Sequence, residues 1–181
     1  MKATRSLLAA VVLATVIGAT QANAQCSGNA GTCNTTNTAS VTVGALVKLG
    51  MSSATTTLTA PTADQVDAGT NIDNAGPSFT IKANRSWTLK LKAQPAVAGF
   101  WDYVGANSGQ KPIGDLLWAT SAGGTYTAIS ASDATFASGA SASNGAAAQA
   151  FFRVSWLNDF SSASNAPGTY SLPVVFTLTA P

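Results

Sequence analysis

The stretch Tyr170-Ser171-Leu172-Pro173-Val174-Val175-Phe176-Thr177-Leu178-Thr179 decides the fold. Tyr170, Leu172, Val174, Phe176 and Leu178 occupy every second position, alternating with Ser171, Pro173, Val175, Thr177 and Thr179. Extended backbone points successive side chains to opposite faces, so this pattern predicts one long strand with an apolar inner face. Pro173 falls in the outward set and has no N–H to give a neighbour. That predicts an edge position or a local bulge.

Moving toward the N-terminus, the same period recurs. Trp87, Leu89 and Leu91 alternate with Thr88, Lys90 and Lys92 across residues 86–93, a half-exposed antiparallel strand. Phe79 and Ile81 predict a shorter strand just before it, joined through Ala83-Asn84-Arg85. Further strands are expected at 40–49, with Val41, Val43 and Val47 on one side, at 55–59, and at 150–157, with Phe152, Val154 and Trp156 inward. Residues 116–119 and 126–129 flank Ser121-Ala122-Gly123-Gly124, a turn cluster that predicts a hairpin. Residues 137–148, rich in Ala, Ser, Gly and Asn, read as a mobile loop.

No heptad, helical face or long repeat competes with period two. The fold class expected is all-β, an antiparallel immunoglobulin-like β-sandwich of about eight to ten strands. A transmembrane barrel also alternates, but the strand lengths here are uneven and the last strand ends at Ala180-Pro181 without a terminal aromatic.

The first residues carry a different signal. Lys2 and Arg5 precede an apolar run from Leu7 to Ala19, then Ala22-Asn23-Ala24. This is a secretory signal with an A-x-A cleavage site, and the run is too short to span a bilayer. The expected division is a cleaved signal peptide at 1–24, a disulfide-bridged segment at 25–37 and a single sandwich domain at 38–181. Export implies an extracytoplasmic protein: secreted, at the cell surface or in the periplasm. Cys26 and Cys33 are expected to pair in that oxidising compartment. Gln25 directly before Cys26 departs from the small residue that a lipid-attachment site uses.

With Lys2 and Arg5 removed, seven basic residues face seven aspartates, and the charge is near zero. No basic stripe marks a nucleic-acid binder. Only 9% of residues are charged, against about a quarter in ordinary soluble domains. Ser, Thr, Ala and Gly replace them, a surface suited to an assembly.

The chain has no histidine and no glutamate, which removes Ser-His-Asp and Cys-His nucleophiles and histidine-bound metals. A non-catalytic protein is expected, with no cofactor beyond a weak calcium possibility. The oxygen ligands for calcium would be Asp64, Asp67 and Asp73, close together in sequence and near Asn71 and Asn74. The favoured reading of the same residues is a polar connection that uses Asp and Asn as turn formers. Phe100-Trp101-Asp102-Tyr103 lies between Gly99 and Gly105, a place where Trp101, Asp102 and Tyr103 could hold a sugar ring. A plug closing one end of the sandwich is the other reading of Trp101. Trp87, Trp118 and Trp156 fall in phase with their strands and are expected in the core.

Ala166-Pro167-Gly168-Thr169-Tyr170-Ser171-Leu172 and the alternation after it resemble the final strand of secreted bacterial β-sandwiches of the pilin-like and spore-coat-U-like kinds. Lys111 to Ile129, with Asp115-Leu116-Leu117-Trp118 and the Gly-Gly turn, is similar to the middle hairpin of exported proteins with this ending. The resemblance implies a surface or matrix role. The expected function is therefore a secreted or cell-surface structural or adhesive protein, associating with itself or with other surface proteins. The alternative is a carbohydrate-binding module that takes a glycan on Trp101 and Tyr103. Exchange of strands between copies is disfavoured at this level, because Gln25 to Asn37 is polar and about ten strands fill a complete sandwich.

Overall fold

The computed structural model describes residues 31–69 and 72–181. The predicted signal segment 1–24 and Cys26 lie outside the described residues. The chain divides into two units, Met1–Thr42 and Val43–Pro181. In the first, residues 31–42 are exposed and form neither helix nor strand.

The second unit carries the strands β1 (Val47–Met51), β2 (Asn74–Ala83), β3 (Trp87–Ala93), β4 (Asp102–Val104), β5 (Leu116–Ala119), β6 (Thr127–Ala128), β7 (Ala134–Gly139), β8 (Ser143–Val154), β9 (Thr169–Ser171) and β10 (Val174–Thr179). One short helix, α1 (Ala63–Asp67), lies between β1 and β2. The order β1-β2-β8-β5-β6 makes one sheet, β10-β3-β7 a second, and β4-β9 a small third ribbon. Every strand pairing is antiparallel. The chain is an all-β, antiparallel sandwich, as the alternation predicts.

The two large sheets share one core. Phe79 and Ile81 of β2, Leu116 of β5 and Ala150, Phe152 and Val154 of β8 pack with Trp87, Leu89 and Leu91 of β3 and Phe136 of β7. Aromatic rings bridge the layers: Phe79 lies 5.6 Å from Phe136 and 4.4 Å from Phe176 of β10. The hairpin across residues 121–124 forms as expected, with Leu117 opposite Ala128 and Trp118 opposite Thr127.

Four expectations change. The strand expected at 40–49 begins only at Val47, because no neighbouring strand pairs with residues 40–46. Residues 55–59 form no strand, and the Thr59 N–H bonds to the Asn74 side chain instead of a backbone carbonyl. The loop expected at 137–148 is largely strand: β8 runs from Ser143 to Val154, with Ala146 opposite Ile81 and Ala148 opposite Phe79. In the part that the expected loop covers, the inward residues are Ala146 and Ala148, small enough to lie beside the large side chains of β2. Finally, the long closing strand is two strands. The ladder breaks at Leu172-Pro173, where proline offers no N–H and its carbonyl accepts from Gln94. β9 then pairs with β4 and β10 with β3. β10 is the edge strand that Pro173 predicts.

Phe79 is 1% exposed and touches aromatic rings of the opposite sheet. Phe79→Ala removes that bridge and leaves a cavity. The expected loss is about 4 kcal/mol, read as a lower midpoint in urea denaturation with an unchanged slope.

Candidate functional site

Trp101 is 6% exposed and belongs to the core. Its indole N–H donates to the Pro112 carbonyl at 2.9 Å, and its backbone N–H donates to the Lys111 carbonyl. Asp102 accepts from the Ala96 N–H at 2.8 Å. The Tyr103 hydroxyl donates to the Pro167 carbonyl at 2.8 Å, and its ring lies 4.9 Å from Tyr170. Gly105, Gly109 and Gly168 lie so close to Tyr103 that a Cβ on any of them would collide with it. Both aromatics are therefore spent on closing one end of the sandwich. Trp101 is buried and Tyr103 half-buried, each held by its own hydrogen bond, and nothing in this arrangement favours a sugar on Trp101, Asp102 and Tyr103.

The three aspartates of the expected calcium site do not converge. Asp64 and Asp67 lie on α1, whose start is a capping box between Thr62 and Gln65. Asp73 is already taken: one carboxylate oxygen accepts from Arg153 Nε and the other from the Gly123 N–H at 3.0 Å. Arg153 in turn lies over the Tyr126 ring at 4.0 Å. The Arg153 hydrogen bond holds the Asp73 carboxyl down at about 2. Among the described residues no group of three or more metal-ligating side chains comes together.

What the sequence did not reveal is a groove. It encloses about 1020 Å³ and is lined chiefly by residues 53–61, residues 165–174 and Phe176. Its floor reaches the core at Leu116, Phe152 and Val154. The groove borders β10, which has a ladder partner only in β3. Val174, Phe176 and Leu178 are consequently half-buried. An unpaired edge beside an apolar groove offers both backbone hydrogen bonds and side-chain pockets.

Lys111 lines this groove. It is 1% exposed, yet each of its three N–H bonds has a direction to go. Nζ lies 3.0 Å from Asp115 Oδ2, 2.7 Å from the Ser155 carbonyl and 4.1 Å from the Trp156 ring centroid. Burial pushes the amine below its ordinary value, and Asp115 opposes that shift. Trp156, expected as an inward strand residue, lies past the end of β8 and packs on the core from there.

A second unpartnered feature lies where the chain enters the sandwich. Asn84 accepts from the Leu46 N–H, donates to the Leu46 carbonyl through its backbone, and donates to the Gly44 carbonyl through its side chain. Before this clasp Val41 is 87% and Val43 65% exposed. Two β-branched residues at alternate positions stand in solvent with no ladder.

No family model matches the chain, and no curated protein matches it. Among solved structures the chain is similar to one in the structure of a chaperone–usher pilus, whose description concerns rod uncoiling. The identity is 10% and the TM-score 0.44, over 84% of this chain and 98% of that one.

Lys111→Met keeps the stem and deletes the charge, leaving Asp115 and the Ser155 carbonyl without their donor. A loss of about 3 kcal/mol is expected in denaturant unfolding, and Lys111→Met with Asp115→Leu should recover part of it. Asp73 answers to acid instead. Its folded value lies below its ordinary 3.8, so it contributes stability above pH 3.8 that is lost as pH falls toward about 2. In Asp73→Asn that portion of the acid-induced fall in thermal midpoint should be missing.

Proposed function

We propose that the chain is a secreted, cell-surface structural subunit that associates with further copies of itself by strand addition. An extended stretch around Val41 and Val43 of one copy lies along β10 of another and fills its groove. The observation that carries this reading is the coexistence of two incomplete features: an apolar groove at an unpaired strand edge, and an exposed alternating apolar stretch with no ladder. Added strands gain affinity from main-chain hydrogen bonds and specificity from alternate side chains in pockets. The low content of charged side chains, 9%, supports an assembled surface.

The signal at 1–24 belongs to this reading as the route of export. So does a Cys26–Cys33 bridge, which would stiffen the segment ahead of the alternating stretch. Among the described residues no helix is long and apolar enough to cross a membrane. No observation favours a second function.

Val41→Asp with Val43→Asp tests the proposal, using the full chain as exported. Sedimentation velocity should show concentration-dependent association for the unaltered protein, and association about a hundredfold weaker for the variant. The thermal midpoint of the dilute variant should stay unchanged. An unaltered protein that remains monomeric at high concentration would contradict this function.

A further inference from the structure

The charged side chains of the sandwich are sorted by height along its strands. Asn84 and Arg85 connect β2 to β3, and Ser143 of β8 pairs with Ala83, so these residues share one end. Lys48 and Lys82 lie one position below it, directly opposite each other on β1 and β2. All seven aspartates lie at or toward the other end. Asp64 and Asp67 are on α1, reached by a segment whose Thr59 bonds Asn74 at the start of β2. Asp73 precedes that same start, Asp115 precedes β5 where Leu116 pairs with Val154, and Asp159 follows the end of β8. Asp102 pairs with Ser171 just before β10, and Asp133 precedes β7 where Ala134 pairs with Leu91.

Ion pairing sharpens the separation. The three salt bridges among the described residues are Lys92 with Asp133, Lys111 with Asp115, and Arg153 with Asp73. They neutralise the cations nearest the acidic end. Left over are exposed Lys48, Lys82 and Arg85 at one end, half-buried Lys90 midway, and exposed Asp64, Asp67 and Asp159 toward the other, with half-buried Asp102, which accepts from the Ala96 N–H. Like charges directly opposite on neighbouring strands repel, and the chain gives Lys48 and Lys82 no carboxylate to relieve them.

The geometry points to a docking surface at each end, the partner being a second copy of this chain: the Lys48, Lys82 and Arg85 end of one copy sits on the Asp64, Asp67 and Asp159 end of the next. This rests on the self-association proposed above and gives it a direction. The chain enters the sandwich at the basic end, where Asn84 clasps Gly44 and Leu46. The groove wall of residues 53–61 runs toward the acidic end. Stacking opposite charges therefore brings the entry point of one copy to the end of the next toward which its groove runs. Complementary patches of this kind set orientation and encounter rate, and weaken as salt screens them.

The test reverses one end at a time in the full exported chain. Variant one is Lys48→Glu, Lys82→Glu and Arg85→Glu; variant two is Asp64→Lys and Asp67→Lys. Thermal midpoints confirm that each is folded. In sedimentation velocity each variant alone should associate about tenfold or more weakly than the unaltered chain. An equimolar mixture should regain association, since it restores one original interface per pair. The unaltered chain should weaken between about 0.05 and 1 M salt. Association that ignores both reversals and salt would overturn the end-to-end docking while leaving strand addition standing. A mixture no better than its parts would overturn the docking as well. An unaltered chain that never associates would overturn both.

Discussion

Phe79 of β2 and Phe176 of β10, ring centroids 4.4 Å apart, hold the two sheets together at a place where one sheet ends. Phe136 of β7 closes the triangle at 5.6 Å from each. Aromatic side chains bury large areas and prefer tilted contacts of this kind. The consequence for the molecule is asymmetric. On the β2 side Phe79 is sealed by β1 and β8, while on the β10 side Phe176 stays half-buried because no strand lies beyond it. The same contact that secures the sandwich leaves an apolar ring at the rim of the groove.

The groove, the clasp at Asn84 and the buried Lys111 then form one arrangement. Lys111 and Trp156 line the groove, with the ammonium satisfied by Asp115, a carbonyl and an indole face. Asn84 fixes where the chain enters at Gly44 and Leu46, and Val41 and Val43 are exposed. Each feature is local, but each leaves apolar surface or strand edge unmatched within a single chain.

Much of the sandwich was legible in the sequence. Trp87, Leu89 and Leu91 announced β3 by alternation alone, and Gly123-Gly124 announced the turn between β5 and β6. The first half of β8 escaped notice because its inward face begins with Ala146 and Ala148, and alanine gives no contrast with a polar neighbour, whereas Phe152 and Val154 marked its second half. Pro173 was read as an edge signal, which β10 bears out, but it also splits the ladder. The candidate site was much less legible. Whether Trp101 shows its face or buries it depends on Pro112, eleven residues away, and whether Asp73 is free for a metal depends on Arg153, eighty residues away. The groove is set by the absence of a neighbour beside β10, and a missing partner leaves no mark on composition or period.

The sorting of charge by height also shapes how the molecule behaves in plain solution. Residues 25–181 hold seven lysines and arginines against seven aspartates, so their net charge offers little repulsion between molecules. In the end-to-end docking proposed above, the unpaired cations at one end and the unpaired aspartates at the other make a charge dipole along the strands. Such a particle would attract its own kind most strongly in dilute buffer and be dispersed by electrolyte, which is salting-in behaviour.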